Sequence, residues 1–196
     1  MKSQDIFILL KIVSMGKSLS NQVGESQDVT QSLSARNLAV LTGVGKTEVN
    51  ASINRSLDVG LAKHSRKNQN LLVNTKSLFE FIVYGLKFVF PTQPAELVRG
   101  MPTAHAAPVL SKQLMSGSDS VLVWPDATAS VMGQSIKPLY VSVPMAAASD
   151  PKLYDYLALV DAIRVGGARE SNLAIKLLKK HSRNRLCLRK TWPYKC

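Results

Sequence analysis

The strongest constraint on the fold lies in residues 34–60, SARNLAVLTGVGKTEVNASINRSLDVG, whose apolar and glycine spacing fits two short helices around one tight turn. Ser34 suits an N-cap, because its hydroxyl can accept a bond from an otherwise orphan backbone N–H. The helix it opens is expected to run to about Leu41, with Ala39 small enough for a second helix to cross closely. Gly43 falls where the turn between crossed helices favours positive φ, a conformation glycine adopts without steric cost. Val44 is placed to plug the corner. The second helix begins near Lys46, with Gly45 as its cap and Glu48 three residues on, as in a capping box. It ends at Gly60.

On a wheel of about 100° per residue, Val49, Ile53, Ser56 and Leu57 gather on one side, and Thr47, Asn50, Ala51, Asn54 and Arg55 on the other. The second set is the expected exposed face, and its chemistry suits the DNA major groove. Asn donates and accepts at the adenine edge, Arg pairs with guanine or phosphate, and Ala or the Thr methyl meets the thymine methyl. Lys46 and Thr47, at the positive end of the helix dipole, suit a phosphate better than a base. Residues 61–65 and 71–73 then read as two strands around a polar tip that carries Arg66 and Lys67. A helix over about residues 75–88 carries the apolar set Leu78, Phe79, Ile82, Val83, Leu86 and Val89. Upstream, residues 5–14 read as an amphipathic helix closing a three-helix core, and residues 16–31 as a polar loop.

Over residues 1–90 this pattern resembles the winged helix-turn-helix superfamily of bacterial transcription regulators. The resemblance implies a domain that reads duplex DNA through Lys46, Thr47, Asn50, Ala51, Asn54 and Arg55, with Arg66 and Lys67 on the wing. Winged domains that bind only protein share the spacing, so that alternative stays open.

Charge agrees with a phosphate-binding partner. The 196 residues carry 25 Lys and Arg against 13 Asp and Glu, for a formal net charge of +12. Eight of the cations and none of the acids fall in residues 176–196, a basic tail suited to phosphates or to solvent. RNA, an anionic membrane or an acidic protein would satisfy the same charge. No membrane span or signal peptide is expected, because the apolar run at residues 6–10 is short and flanked by Asp5 and Lys11. Cys187 and Cys196 have no CxxC partner, so neither a zinc site nor a disulfide framework is expected. The reading is a cytoplasmic protein without cofactor or metal.

Past residue 90 the chain changes character. Pro91, Pro94, Pro102 and Pro108 make residues 91–120 read as an extended linker or loop. Residues 121–182 read as an accessory α+β region. In it, residues 121–125 and 131–136 form a hairpin, and residues 139–143 add a third strand. Asp150 caps and Pro151 opens a helix to about Val165, and a last helix covers residues 168–182. Leu153, Leu157 and Val160, with Leu173 and Leu177, offer apolar area for packing or for self-association. Residues 183–196 are the basic tail. The segments GMPTAHAAP, VLVWPD, PLYVSVP and LALVDAIRVGGARE resemble those of a little-studied family of bacterial winged-helix proteins described as transcriptional regulators.

GVGKT at residues 43–47 mimics the end of a phosphate-binding P-loop, but Val40 stands where that motif requires glycine, and a helix rather than a strand precedes it. His105, Asp161 and Arg164 are the candidates for effector or partner contact. Their plainer reading is a loop-pinning histidine and a salt-bridge network that includes Arg169 and Glu170. Trp124 reads as core. The expectation is an α+β protein, an N-terminal winged helix-turn-helix followed by a small sheet and two C-terminal helices. Its expected role is that of a homodimeric, sequence-specific double-stranded DNA-binding repressor, not an enzyme. The alternative is a protein-interaction module, such as an antitoxin-like or scaffold component of a toxin or defence operon.

Overall fold

Ile6, Phe7, Ile8, Leu9, Leu10, Ile12 and Val13 follow one another too densely to share a single helix face. In the computed structural model, which describes residues 1–19, 33–65, 70–113 and 121–186, they belong to α1 (Ser3–Leu19), and residues 4–14 are all buried. The expectation of an amphipathic opening helix is therefore corrected. α1 runs through the interior, and elements from both halves of the chain pack around it.

Burying α1 buries its polar side chains, and each finds a partner. Lys11 Nζ donates to Asp150 Oδ2 at 2.9 Å, and Ser14 Oγ donates to the same oxygen at 2.6 Å. The other oxygen of Asp150 accepts the backbone N–H groups of Lys152 and Leu153. It thereby caps α8 (Pro151–Val165), with Pro151 pre-set for the first turn as expected.

The N-terminal half continues with α2 (Ala35–Thr42), α3 (Lys46–Asp58), and β1 (Ala62–His64) paired antiparallel to β2 (Leu71–Val73). The helix expected over residues 75–88 breaks at Gly85 into α4 (Thr75–Tyr84) and α5 (Leu86–Val89). A Cβ at Gly85 would approach the Phe81 ring to 3.1 Å.

The expected linker at residues 91–120 is corrected over residues 91–113, and residues 114–120 lie outside the described residues. It contains β3 (Leu97–Pro102), a 3₁₀ turn over Ala104–Ala106 and a short helix, α6 (Pro108–Ser111). The expected hairpin is corrected as well. β4 (Leu122–Pro125) and β5 (Val131–Ser135) each run antiparallel to β3, on its two edges, and meet each other in parallel so that the three strands close on themselves. Closing so few strands brings backbones into contact. A Cβ at Gly100 would lie 2.1 Å from the Trp124 carbonyl oxygen, and one at Gly133 would lie 2.4 Å from that of Val121. Residues 139–143, read as a third strand, instead turn into α7 (Val143–Ser149).

α8 and α9 (Ala168–Leu186) complete the α+β architecture. Leu153, Leu157 and Val160 are fully buried within the chain, packed in the same apolar cluster as α1, α4 and α5. The reading of these residues as a self-association surface is corrected, since that area is covered intramolecularly. The apolar cluster draws on both halves without interruption, so the expected division into separate domains at residues 1–90 and 121–182 does not describe the core. Among the described residues, no helix is long and apolar enough to cross a membrane.

The Lys11–Asp150 pair is 5% and 17% exposed at its side chains, and breaking a buried pair by removing one partner costs about 3–5 kcal/mol. Lys11→Met keeps the volume and removes the counter-charge of Asp150, leaving it the Ser14 hydroxyl and the two backbone N–H groups. Urea unfolding should show a loss of about 3 kcal/mol; a loss under about 1 kcal/mol would show that the pair does not hold α1 to α8.

Candidate nucleic-acid interface

Local signals shape the α2–α3 unit. Ser34 Oγ accepts the Asn37 N–H at 3.2 Å, capping α2 as expected. At the other end, buried Thr42 donates from Oγ1 to the Leu38 carbonyl at 2.6 Å, and Gly43 turns the chain at φ 65°. Val44 fills the corner, 1% exposed. The turn is also covered by the approach to α7. Ser142 Oγ donates to the Thr42 carbonyl, and a Cβ at Gly43 would meet Met145 Cε at 2.8 Å.

α3 begins at Lys46 without a side-chain cap, because Gly45 has no side chain to supply one. The expected capping box does not form. Glu48 Oε2 instead accepts from Gln4 Nε2 at 2.5 Å and from Lys2 Nζ at 3.4 Å, both near the start of α1. Val49, Ser52 and Ser56 point inward and are buried. Lys46, Thr47, Asn50 and Asn54 are exposed, and Ala51 beside them is half-buried. That stripe contains no acid before Asp58.

Arg55 departs from the expected set. Its Nη2 and Nε donate to the two carboxylate oxygens of Asp5 at 2.7 and 3.0 Å, a bidentate pair whose acid is fully buried. The wheel placed Arg55 beside Asn54, but its long side chain reaches back to α1 and away from the exposed stripe. Burial alone would raise the Asp5 carboxyl. The Arg55 guanidinium, the Lys2 backbone N–H and nearby Ser52 outweigh burial and hold it below the ordinary Asp value. The Ser52 hydroxyl contributes to that field although its geometry falls short of a hydrogen bond.

β1 and β2 follow α3 as an antiparallel pair, with Ala62 opposite Val73 and His64 opposite Leu71. Arg66 and Lys67, expected at the tip, lie outside the described residues. Two cations escaped the sequence reading. Lys63 is exposed in β1, and Arg36 is exposed on α2, where it lines a shallow depression of about 420 Å³ with Ser34, Asn37 and Val40. Strand alternation would have pointed to the first, and its place beside the Ser34 cap to the second.

The candidates for effector contact fall elsewhere. Asp161 and Arg164 form a sealed pair at 2.6 Å, each side chain 3% exposed. Asp161 also accepts from Trp124 Nε1 at 2.6 Å and Thr103 Oγ1 at 3.2 Å, while Arg164 donates to the carbonyls of Phe90 and Lys137. Burial pushes the Asp161 carboxyl upward, and Arg164, Trp124 and Thr103 counter that push. This cluster fastens α8 to the closed sheet and offers an effector no open face. It recruits Trp124 and Thr103 rather than the expected Arg169 and Glu170. His105 sits half-buried in the 3₁₀ turn two residues past Thr103.

An apolar cavity between α1, α4, α8 and α9 measures about 30 Å³, lined by Leu10, Val13, Ile82, Tyr156 and Leu178 among others. That is room for about one water, not for a metabolite. Among the described residues no group of His, Cys, Asp and Glu could hold a metal ion. Comparison of the chain with protein-family models, with curated proteins and with solved structures returned no match.

The lowered carboxyls fix the sign of an acid response. Asp5 is held down as described, and at Asp150 burial is outweighed by Ser14, Lys11 and the Leu153 N–H. Both therefore stabilise the fold fully above the ordinary Asp value of 3.8, and the stabilisation is lost as pH falls through their lowered values. Thermal melts from neutral to strongly acidic pH should steepen in their decline below about pH 4. Asp5→Asn should melt lower at neutral pH and decline less steeply; an acid slope identical to that of wild type would contradict the assignment.

Proposed function

We propose that the chain is a sequence-specific double-stranded DNA-binding transcription regulator of the winged helix-turn-helix type, acting as a cytoplasmic repressor. The observation that carries this reading is the stripe Lys46, Thr47, Asn50, Ala51 and Asn54 on α3, exposed on a helix whose opposite face is buried and pinned. In this reading α3 is the recognition helix, the β1–β2 ribbon its wing, and Gly43 the turn between the crossed helices.

The chemistry of the stripe supports that assignment. Asn50 and Asn54, one turn apart, offer paired donors and acceptors to adenine edges, and Ala51 and the Thr47 methyl suit thymine methyls. Lys46 sits at the positive end of the α3 dipole, where a phosphate is favoured. Diffuse attraction comes from the net charge of +12. One recognition helix reads only a few base pairs, so a two-fold pair is the usual route to selectivity. In such a homodimer the contact lies away from Leu153, Leu157 and Val160. Tyr84 and Phe88, 73% and 81% exposed, are apolar side chains still open to a second copy.

A second reading, a protein-docking module, draws on one observation. Met145, 54% exposed, lies against the Gly43 turn, and Val141, 81% exposed, precedes Ser142, which also touches it; exposed apolar side chains there suit a protein partner.

Selection of duplexes from a randomised pool, followed by titration, separates the two. Wild type should enrich a preferred duplex, and Asn50→Ala or Asn54→Ala should weaken binding to it by about 1–3 kcal/mol while leaving a scrambled duplex nearly unaffected. Equal losses on both duplexes would remove these side chains from base readout.

A further inference from the structure

Glu48 and Arg55 stand two turns apart on one flank of α3, a stripe distinct from the one bearing Asn50 and Asn54. Both reach the same place, the first turns of α1. Arg55 grips the Asp5 carboxylate with two hydrogen bonds, and Glu48 accepts from Gln4 and Lys2. Arg55 Nη2 also lies 3.8 Å from Glu48 Oε2, linking the two attachments. Asp5 is fully buried and is itself fixed by the Lys2 backbone N–H at 2.7 Å.

The inward face of α3 is less decisive than this flank. It consists of Val49, Ser52 and Ser56, with Ile53 and Leu57 half-buried. Small serines at the centre of the contact present little relief to resist rotation of the helix about its axis. A bidentate guanidinium–carboxylate pair is different, because its planar fork accepts one orientation.

We infer that Asp5 is a specificity-determining positioning residue: through Arg55 it sets the rotation of α3 that presents Asn50 and Asn54. This rests on the reading of α3 as a base-reading helix. Arg55 is not a contact to nucleic acid in this arrangement, and Asp5 acts only through it.

A phosphate contact, a purely structural pair and a positioning pair differ in three readouts. The probes are the duplex that wild type selects from a randomised pool and a scrambled duplex of the same composition. The variants are Asp5→Asn and Arg55→Gln, with folding checked by circular dichroism at the assay temperature. Both variants should reduce the preference for the selected duplex by about tenfold or more, with the salt slope unchanged. The double variant should lose no more than either single one, since both disable one link. Glu48→Gln, at a half-exposed site, should give a smaller loss of preference and serves if the buried variants fail to fold.

Arg55→Gln weakening both duplexes equally and lowering the salt slope by about one would make Arg55 a phosphate contact and overturn the inference. Folded variants with a lower melting temperature and an undiminished preference would reduce the pair to a structural role and also overturn it. If wild type selects no duplex at all, the DNA reading itself fails and the positioning role falls with it.

Discussion

A helix buried on every side can carry polar groups only where another element meets each of them. α1 carries Asp5, Lys11 and Ser14 into the interior, and an uncompensated buried charge costs several kcal/mol. Asp5 therefore constrains α3 through Arg55, and Lys11 and Ser14 constrain the start of α8 through Asp150. The N-terminal and C-terminal halves are each fastened to α1 by such a link, and the apolar cluster fills in around them. Hydrophobic burial supplies much of the driving force, but it has no direction of its own. These ion pairs supply the direction.

The same links sort the charges of α3. Glu48, the acid in its first turn, is drawn toward Gln4 and Lys2, and Arg55 toward Asp5. What remains outward on the stripe between Thr47 and Asn54 is uncharged, the amides of Asn50 and Asn54 and the Thr47 hydroxyl with half-buried Ala51 among them, the kind of surface that discriminates by hydrogen-bond pattern rather than by attraction. Long-range attraction then falls to cations away from that stripe, including Arg36 and Lys63. A separation of this kind, with neutral groups for choice and distributed charge for approach, is what the proposed reading of duplex DNA requires.

Much of the local structure was legible because it follows from single residues and their neighbours. Ser34, Gly43, Asp150 and Pro151 act within a few positions of themselves, and each does what its chemistry predicts. Three features were not legible. α1 reads as amphipathic, yet Asp5 and Lys11 are buried in it; their partners lie 50 and 139 residues away. β3 looked like part of a linker because Pro91, Pro94, Pro102 and Pro108 fall in and around it, and prolines are turn and loop signals elsewhere. Here Pro102 closes the strand, and Gly100 admits the Trp124 carbonyl. Arg55 looked like a base reader because a wheel plots where a side chain starts and not where a long one ends. In the candidate stripe, the short side chains Thr47, Asn50 and Asn54 are exposed where the wheel put them, and Ala51 is half-buried.

The account turns on whether that stripe is the surface that meets nucleic acid. Backbone amide shifts of the full-length protein, followed by NMR during titration with the duplex it selects from a randomised pool, test this most directly. The account predicts that perturbations concentrate on Lys46, Thr47, Asn50, Ala51 and Asn54, with smaller ones at Arg36 and Lys63. Perturbations centred on the closed β3–β4–β5 sheet or on Tyr84 and Phe88, with α3 unmoved at saturation, would contradict it.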